Sequence, residues 1–224
     1  MGSLATRLFL YMFLQNSSTP RSGLFIVIEG IDGCGKTTQI QWIQRWMEQK
    51  NVALWSTKEP TNSMIGEVIN ASLKENQNQY SPLVQLLLFT ADRLHHVEEI
   101  IRYLRKGIHV MCDRFLDSTF AYQATTDSLK EVFLFHEKII LETCKPDVTL
   151  FLDVPVDVAI ERVHQRGFVE CFENQKFLHS VRERYYERIQ KNPQLYQVID
   201  GTAQPQIVFS NIQNILVQYI KGDK

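Results

Sequence analysis

The chain has few cysteines and no excess of basic residues, which several classes of protein require. Its 224 residues include only four cysteines, which are scattered and form no CxxC pair, so neither a disulfide framework nor a cysteine-ligated metal site is expected. We interpret them as reduced thiols of a cytoplasmic protein. Basic and acidic side chains nearly balance, at 24 and 25, so no overall basic field is present to attract nucleic acid.

Long apolar runs, internal repeats and low-complexity segments are also missing. The apolar stretch LATRLFLYMFL, residues 4–14, is too short to cross a bilayer, and no A-x-A-like cleavage site follows it. The first residues, MGSLAT, fit the loose N-myristoylation pattern, which leaves a membrane-associated adaptor as one alternative. We favour an N-terminal extension over residues 1–23 that lies outside the domain, and we expect no membrane partner.

The composition is that of one globular domain, with 44% apolar and 22% charged residues, and we place this domain at residues 24–224. Strand-like segments alternate with helical ones, of which residues 81–106 form the longest. This order predicts an α/β fold with a parallel sheet between two layers of helices. The five predicted strands are residues 24–29, 52–57, 108–112, 148–154 and 196–200.

The first strand leads into GIDGCGKT, residues 30–37, which matches G-x-x-x-x-G-K-[ST]. Glycines let several backbone N–H groups turn inward around a phosphate, and the helix that starts at Lys36 adds its own free N–H groups. Lys36 reaches the β- and γ-phosphates, and the Thr37 hydroxyl ligates Mg²⁺. The motif predicts a P-loop NTPase fold that binds ATP. The expected nucleotide-binding residues are Gly30, Ile31, Asp32, Gly33, Cys34, Gly35, Lys36, Thr37 and Thr38.

The third strand ends in CDRF, at the sheet edge where ligands of open α/β folds bind. Asp113 is a candidate to hold Mg²⁺ through water, and Arg114 can form two hydrogen bonds with a second phosphate. No N-K-x-D segment is present, which argues against a regulatory GTPase. An Asp–Arg pair beside a phosphate-binding loop indicates two anionic substrates arranged end to end.

Five segments resemble, in order and spacing, the signature blocks of the thymidylate kinase family: FIVIEGIDGCGKTTQ, TKEPTNSMIGEVI, LLLFTADRLHHVEEI, CDRFLDSTFAYQ and LFLDVPVDVAIERV. The resemblance covers about residues 24–220. It implies a three-layer α/β/α fold with a short mobile lid at about 161–177. It also implies transfer of the γ-phosphoryl group of ATP to dTMP with Mg²⁺ for dTTP synthesis, and a homodimer packed through helices such as 81–106.

The resemblance also implies roles for single residues. Asp32 lies near the sugar 3′-hydroxyl, Phe89 stacks on thymine, and Arg93 donates to a thymine carbonyl. Arg114 holds the acceptor phosphate, and Tyr122 packs where it crowds a ribose 2′-hydroxyl. Phe89 and Arg93 are four residues apart and therefore share a helix face, which suits a planar base. The remaining implied pocket residues are Glu59, Pro60, Ser118 and Thr119.

The chain departs from the family pattern where the transition state needs positive charge. In the family this charge comes from an arginine of either the P-loop or the lid. Here the loop position after Asp32 is Gly33, and Cys171 stands where many relatives have a lid arginine. Arg162 and Arg166 remain as candidates, and we assign the catalytic role to Arg166. Lys58 stands where relatives often have an arginine. Lysine keeps the positive charge but lacks the forked geometry of the guanidinium. A kinase for another nucleoside monophosphate and a nucleotide-binding regulator with impaired catalysis therefore remain alternatives.

Overall fold

The computed structural model of the chain describes residues 22–74, 80–165 and 175–221, and it contains a five-stranded sheet. All neighbouring strands are parallel, in the order β2-β3-β1-β4-β5. The predicted sheet is confirmed, and each strand lies within two residues of its expected bounds. The strands are β1 (Phe25–Glu29), β2 (Leu54–Lys58), β3 (His109–Asp113), β4 (Val148–Asp153) and β5 (Tyr196–Asp200).

Helices connect the strands and cover both faces of the sheet. They are α1 (Lys36–Gln49), α2 (Met64–Lys74), α3 (Pro82–Arg105), α4 (Leu116–Tyr122), α5 (Asp127–Thr143), α6 (Val156–Gln165), α7 (Gln175–Lys191) and α8 (Pro205–Lys221), with a 3₁₀ turn at Pro193–Leu195. The sequence did not predict α2 or α4.

The central strand β1 joins the two halves of the hydrophobic core. Its five residues are all buried, and successive side chains point to opposite faces of the sheet. Ile26 and Ile28 belong to the core under α1, α6, α7 and α8. Phe25 and Val27 belong to the core under α3, α4 and α5. This burial on both faces explains why β1 reads as a continuous apolar run.

The long helix α3 starts and stops where its sequence signals predict. The Ser81 hydroxyl accepts a hydrogen bond from the Val84 amide at 3.4 Å, and Pro82 occupies the first turn, where no N–H is needed. Arg102 and Arg105 lie in the last turn, where positive charge is favourable. Gly107 follows with a φ of 75°, in the left-handed conformation that favours glycine. The helix therefore has a fixed register against the sheet.

Parallel pairing brings the carboxyl ends of all five strands to one edge. Asp113 pairs in register with Ile28 on one side and Lys58 on the other. The segments that follow β1, β2 and β3 therefore leave the sheet side by side, at the position where open α/β folds bind ligands. Within the described residues, no helix is long and apolar enough to span a membrane.

Candidate active site

The loop between β1 and α1 has the backbone conformation that its glycines predict. Gly33 and Gly35 have φ angles of 84° and 104°, and Gly35 immediately precedes α1. A Cβ atom on Gly33 would lie 2.2 Å from the Ala159 carbonyl oxygen on α6, whereas one on Gly35 would meet nothing within 4 Å. Gly33 is therefore required both by conformation and by close packing. This contact explains why the chain has no side chain, and so no arginine, at this loop position.

The Lys36 ammonium group lies inside the loop. Its Nζ donates hydrogen bonds to the carbonyl oxygens of Gly30 at 2.8 Å and Ile31 at 3.2 Å, and it lies 3.7 Å from the Cys34 sulfur. Lys36 is buried, whereas Thr37 is exposed at the start of α1. The loop thus concentrates a positive charge and the free N–H groups of a helix start in one place, which is suited to a polyphosphate. The predicted residues Cys34 and Ile31 are buried within the loop, and Thr38 is half-buried.

Arg114 meets the loop from the end of β3. Its Nη2 donates to Asp32 Oδ1 at 2.6 Å, and its Nη1 donates to the Ser118 hydroxyl at 3.0 Å. The guanidinium carbon lies 5.1 Å from the centre of the Tyr122 ring. Arg114 lowers the pKa of the Asp32 carboxyl below its ordinary value, because the adjacent positive charge favours the ionised form. The structure thus brings together three of the residues that the resemblance placed at the acceptor: Asp32, Arg114 and Tyr122.

A carboxylate that the sequence analysis missed lies directly behind Arg114. Glu29, the last residue of β1, has no exposed surface. Its Oε1 accepts hydrogen bonds from the amides of Phe115 at 2.8 Å and Ser118 at 3.2 Å, and its Oε2 accepts from the hydroxyls of Ser118 at 2.6 Å and Tyr185 at 2.9 Å. The available signal was an ionisable residue at the end of an otherwise apolar strand, since buried carboxylates need partners.

Arg93 lies in a buried network rather than on an open helix face. Its guanidinium donates to Glu59 Oε2 from Nε at 2.8 Å and Nη2 at 2.5 Å, and Nη2 also donates to the Phe115 carbonyl and the Thr119 hydroxyl. Nη1 is buried and has no hydrogen-bond partner among the described residues. One donor of Arg93 therefore remains for a ligand, and it is fixed in direction by the other bonds.

Glu59 joins this network to β2 and α3. Its Oε1 lies 3.0 Å from His96 Nδ1, and His96 Nε2 lies 2.8 Å from the Thr57 hydroxyl. The ligand atoms of Glu59, His96 and Cys112 lie within 4.8 Å of one another, a spacing compatible with a metal site. However, Arg93 already neutralises Glu59, and both His96 nitrogens are already within hydrogen-bonding distance of other groups. We therefore interpret this cluster as a support for the pocket.

Phe89 and Pro60 are two further residues that the resemblance assigned to the pocket. Phe89 is half-buried and lines a small space with Tyr80 and Leu73, one turn before Arg93 on α3. Pro60 is half-buried and follows Glu59 through a cis peptide bond. Their roles toward a ligand stay predictions.

Thr37 and Asp113 line one cavity of about 660 Å³, together with Lys58 from β2. Asp113 is the last residue of β3, and its Oδ1 is buried without a hydrogen-bond partner among the described residues. A hydroxyl and an unpaired carboxylate oxygen beside a phosphate-binding loop are the oxygen ligands that Mg²⁺ prefers. The residues present therefore fit the predicted Mg²⁺ site.

Of the two candidate lid cations, Arg162 and Arg166, only Arg162 lies within the described residues. Arg162, on α6, donates to the carbonyl oxygens of Gly201 at 2.8 Å and Thr202 at 3.4 Å, so it holds the loop after β5. Arg166 and Cys171 lie outside the described residues, as do positions 166–174 of the predicted lid and 1–21 of the predicted extension.

The fold and this site together define the class of protein. A P-loop precedes α1 at the switch point of a parallel sheet, and an arginine on the neighbouring strand faces it beside a pocket with an oriented, unpaired donor. These are the parts of a P-loop enzyme that binds a nucleoside triphosphate beside a second ligand.

Comparison with known proteins narrows the class to a family. The family model described as thymidylate kinase matches residues 28–212. The chain is 37% identical over 202 residues to the thymidylate kinase of Carboxydothermus hydrogenoformans, covering 87% of this chain and 97% of that protein. It is 35% identical to the thymidylate kinases of Neisseria meningitidis and Bartonella henselae, covering 86% and 88% of this chain and 95% and 96% of theirs. The chain belongs to the thymidylate kinase family.

Proposed function

We propose that the protein transfers the γ-phosphoryl group of ATP to dTMP, giving ADP and dTDP for dTTP synthesis. The observation that carries this proposal is the 2.6 Å contact between Asp32 of the P-loop and Arg114. This contact puts a guanidinium, which binds phosphate with two parallel hydrogen bonds, next to the loop that holds a triphosphate. Membership of the thymidylate kinase family supports the choice of reaction.

The catalytic contribution of the chain is positioning and charge neutralisation. The loop residues 30–38 and the start of α1 bind the phosphates of ATP, and Lys36 turns its ammonium toward them. Thr37 and Asp113 would hold Mg²⁺, which supplies positive charge to the β- and γ-phosphates when bound. Arg114 binds the phosphate of dTMP, and Asp32 limits where that guanidinium can move.

The thymine base occupies the pocket beside Arg93. The free Nη1 of Arg93 suits a carbonyl oxygen of the base, because its other donors are already engaged. Phe89 stacks on the ring, Thr119 faces its edge beside Arg93, and Tyr122 crowds a ribose 2′-hydroxyl. Ser118, which the resemblance also assigned to the base edge, instead has its hydroxyl engaged with Glu29 and Arg114 on the phosphate side. Glu59 shapes the pocket by holding Arg93, and Pro60 follows it in the chain.

The cation of the lid is Arg166 in this proposal. Two observations favour a source outside the described residues. The loop cannot carry a side chain at Gly33, because α6 approaches too closely. Arg162 is engaged with the loop after β5. A lid over residues 161–177 closes on bound nucleotides and excludes water.

We further propose a homodimer formed through α2 and α3. These two helices expose apolar side chains that a monomer leaves unburied, and such a continuous face is typical of an interface. Sedimentation velocity should give a dimer for the wild type and a monomer for Leu87→Glu, and a wild-type monomer would contradict the proposal. The exposed side chains are Met64, Val68, Leu73, Leu83, Val84 and Leu87.

Cys34 and Cys112 form no disulfide among the described residues, which supports a reducing, cytoplasmic setting.

The test of function is a phosphoryl-transfer assay over dTMP, dUMP, UMP, CMP and AMP, with ADP release and acceptor phosphorylation both measured. We expect dTMP to have the highest kcat/KM, with Lys36→Ala as the inactive control. A preference for another monophosphate would assign a different kinase. Binding of ATP and dTMP without turnover would instead indicate a regulator.

A further inference from the structure

Four hydrogen-bond donors surround the buried carboxylate of Glu29. Two are backbone amides on Oε1, from Phe115 and Ser118, and two are hydroxyls on Oε2, from Ser118 and Tyr185. Burial and the nearby charge of Asp117 raise the pKa of the Glu29 carboxyl, whereas the hydrogen bond from Ser118, the charge of Arg114 and the Phe115 amide lower it. Four donors are the surroundings of a carboxylate, and both hydroxyls direct their hydrogens to Oε2.

The direction of these two hydroxyl hydrogens decides whether the hydroxyl oxygens can accept from Arg114. When Ser118 and Tyr185 give their hydrogens to Glu29, the lone pairs of both oxygens are left to accept from other donors. Arg114 Nη1 lies 3.0 Å from the Ser118 oxygen and 3.5 Å from the Tyr185 oxygen. The two hydroxyl oxygens lie 2.8 Å apart, close enough for either to donate to the other, and both face the same guanidinium nitrogen.

The same carboxylate also fixes the backbone around Arg114. Arg114 has a φ of 69°, which is unfavourable for a residue with a side chain. Glu29 holds the amide of the next residue, Phe115, and the amide of Ser118 in the first turn of α4. The peptide that follows Arg114 and the helix beyond it are thus held by one side chain from β1.

We infer that Glu29 is a positioning residue for Arg114, which it orients through the hydroxyls of Ser118 and Tyr185. This inference rests on the proposed role of Arg114 in binding the acceptor phosphate. It also gives α7 a part in acceptor binding, because Tyr185 lies on that helix.

Tyr185→Phe is the first test, with Tyr186→Phe as its matched control. The two tyrosines are adjacent on α7, but the Tyr186 hydroxyl donates to Asp153 at 2.7 Å. We expect Tyr185→Phe to raise KM for dTMP about two- to tenfold, the range for one lost hydrogen bond, while KM for ATP stays unchanged. Tyr186→Phe should change neither. An unchanged KM for dTMP in Tyr185→Phe, or an equal rise in both KM values, would overturn the inference.

The Glu29→Gln variant tests whether Arg114 depends on the direction of the Ser118 and Tyr185 hydroxyl hydrogens. Its amide oxygen can still accept from the two backbone amides, but its NH₂ group donates to the hydroxyls, so it takes up lone pairs that accept from Arg114 in the wild type and turns the hydroxyl hydrogens away from residue 29. We expect a larger rise in KM for dTMP than in Tyr185→Phe. If Glu29→Gln does not fold, Tyr185→Phe still decides the outcome.

Equilibrium binding of dTMP in an Arg114→Ala background separates positioning from a merely structural effect. If Tyr185 acts through Arg114, adding Tyr185→Phe to Arg114→Ala should cause no further loss of dTMP affinity. A further loss equal to that in the wild-type background would overturn the inference. Unchanged dTMP affinity in Arg114→Ala alone would instead remove Arg114 from the acceptor site, which is a failure of the proposed function.

Discussion

Arg114 and Asp32 lie 2.6 Å apart, although 81 residues separate them along the chain and they follow different strands. The Asp32 side chain is 62% exposed, whereas that of Arg114 is 17% exposed. The arginine is therefore held by the protein, and the aspartate reaches it from the open side of the loop. A phosphate that enters the site can compete with Asp32 for Nη2 while the contacts of Nη1 with Ser118 and Tyr185 remain.

Arg114→Lys and Arg114→Ala should separate charge from geometry. Lysine keeps the charge but loses the forked donors, so we expect kcat/KM for dTMP to fall about tenfold. Alanine removes both and should lower it about a hundredfold or more, as expected when a charged hydrogen-bonding partner is lost. Steady-state kinetics with each substrate varied would check this, with circular dichroism to confirm folding. Equal rises in KM for ATP and dTMP would contradict the assignment.

The sequence predicted those parts of the fold that have one-dimensional signals. Continuous apolar runs marked the buried strands, and Ser81 and Gly107 marked the ends of α3. Helix α4 was missed because it has only seven residues and six of them are buried, among them the polar Asp117, Ser118 and Thr119. Polar and apolar residues therefore do not mark an exposed and a buried face. Helix α2 was missed because apolar residues such as Met64 and Val68 are exposed, which obscures the same period.

The site was predictable to the extent that it lies within motifs. The loop GIDGCGKT and the pair Asp113–Arg114 are local, and the structure brings both to one edge of the sheet. Glu29 and Tyr185 are 156 residues apart, and no local pattern indicates that their side chains meet. Arg93 was identified, but its ion pair with Glu59 was not, because that pairing depends on how α3 packs beside β2.

Gly33→Ala and Gly35→Ala should separate packing from backbone conformation in the P-loop. Both positions need positive φ, which costs a residue with a side chain about 1–2 kcal/mol. Only at Gly33 does the new Cβ also collide with a backbone carbonyl, that of Ala159. We therefore expect Gly33→Ala to lose about 1–3 kcal/mol more of the free energy of unfolding than Gly35→Ala.

Urea titration of both variants measures that difference directly. Gly33→Arg, which would restore an arginine to the loop, should be destabilised even more and should not gain activity. Equal losses in the two alanine variants would mean that α6 can move away from the loop. The packing explanation for the missing loop arginine would then be wrong.

Variants of the buried Glu59–Arg93 pair should change the free energy of unfolding and the dTMP affinity in different ways. Glu59→Ala leaves Arg93 uncompensated in the interior, and we expect a loss of about 3–5 kcal/mol in the free energy of unfolding. The double variant Glu59→Leu with Arg93→Met removes both charges and should recover most of that stability. It should not recover dTMP affinity, because the free Nη1 donor is gone. Recovery of dTMP binding would show that Arg93 acts only in folding.

His136 should make the protein sensitive to mild acid. It is buried on α5, and neither ring nitrogen has a hydrogen-bond partner among the described residues. Burial, and then the nearby positive charge of Arg93, lower its pKa from 6.5 to about 3. Below pH 6.5 the unfolded chain therefore binds a proton that the native protein does not bind, so stability falls as the pH falls toward 3.

His136→Leu removes this proton uptake and two buried polar atoms without partners. Between pH 7 and pH 5 the histidine should cost the wild type about 2 kcal/mol of the free energy of unfolding, since each pH unit below 6.5 costs about 1.4 kcal/mol. The leucine variant should lose about that much less over the same interval. Urea unfolding of both proteins at the two pH values measures the difference in slope. Parallel losses would mean that His136 gains a proton in the native state, so that its ring has a partner or access to water.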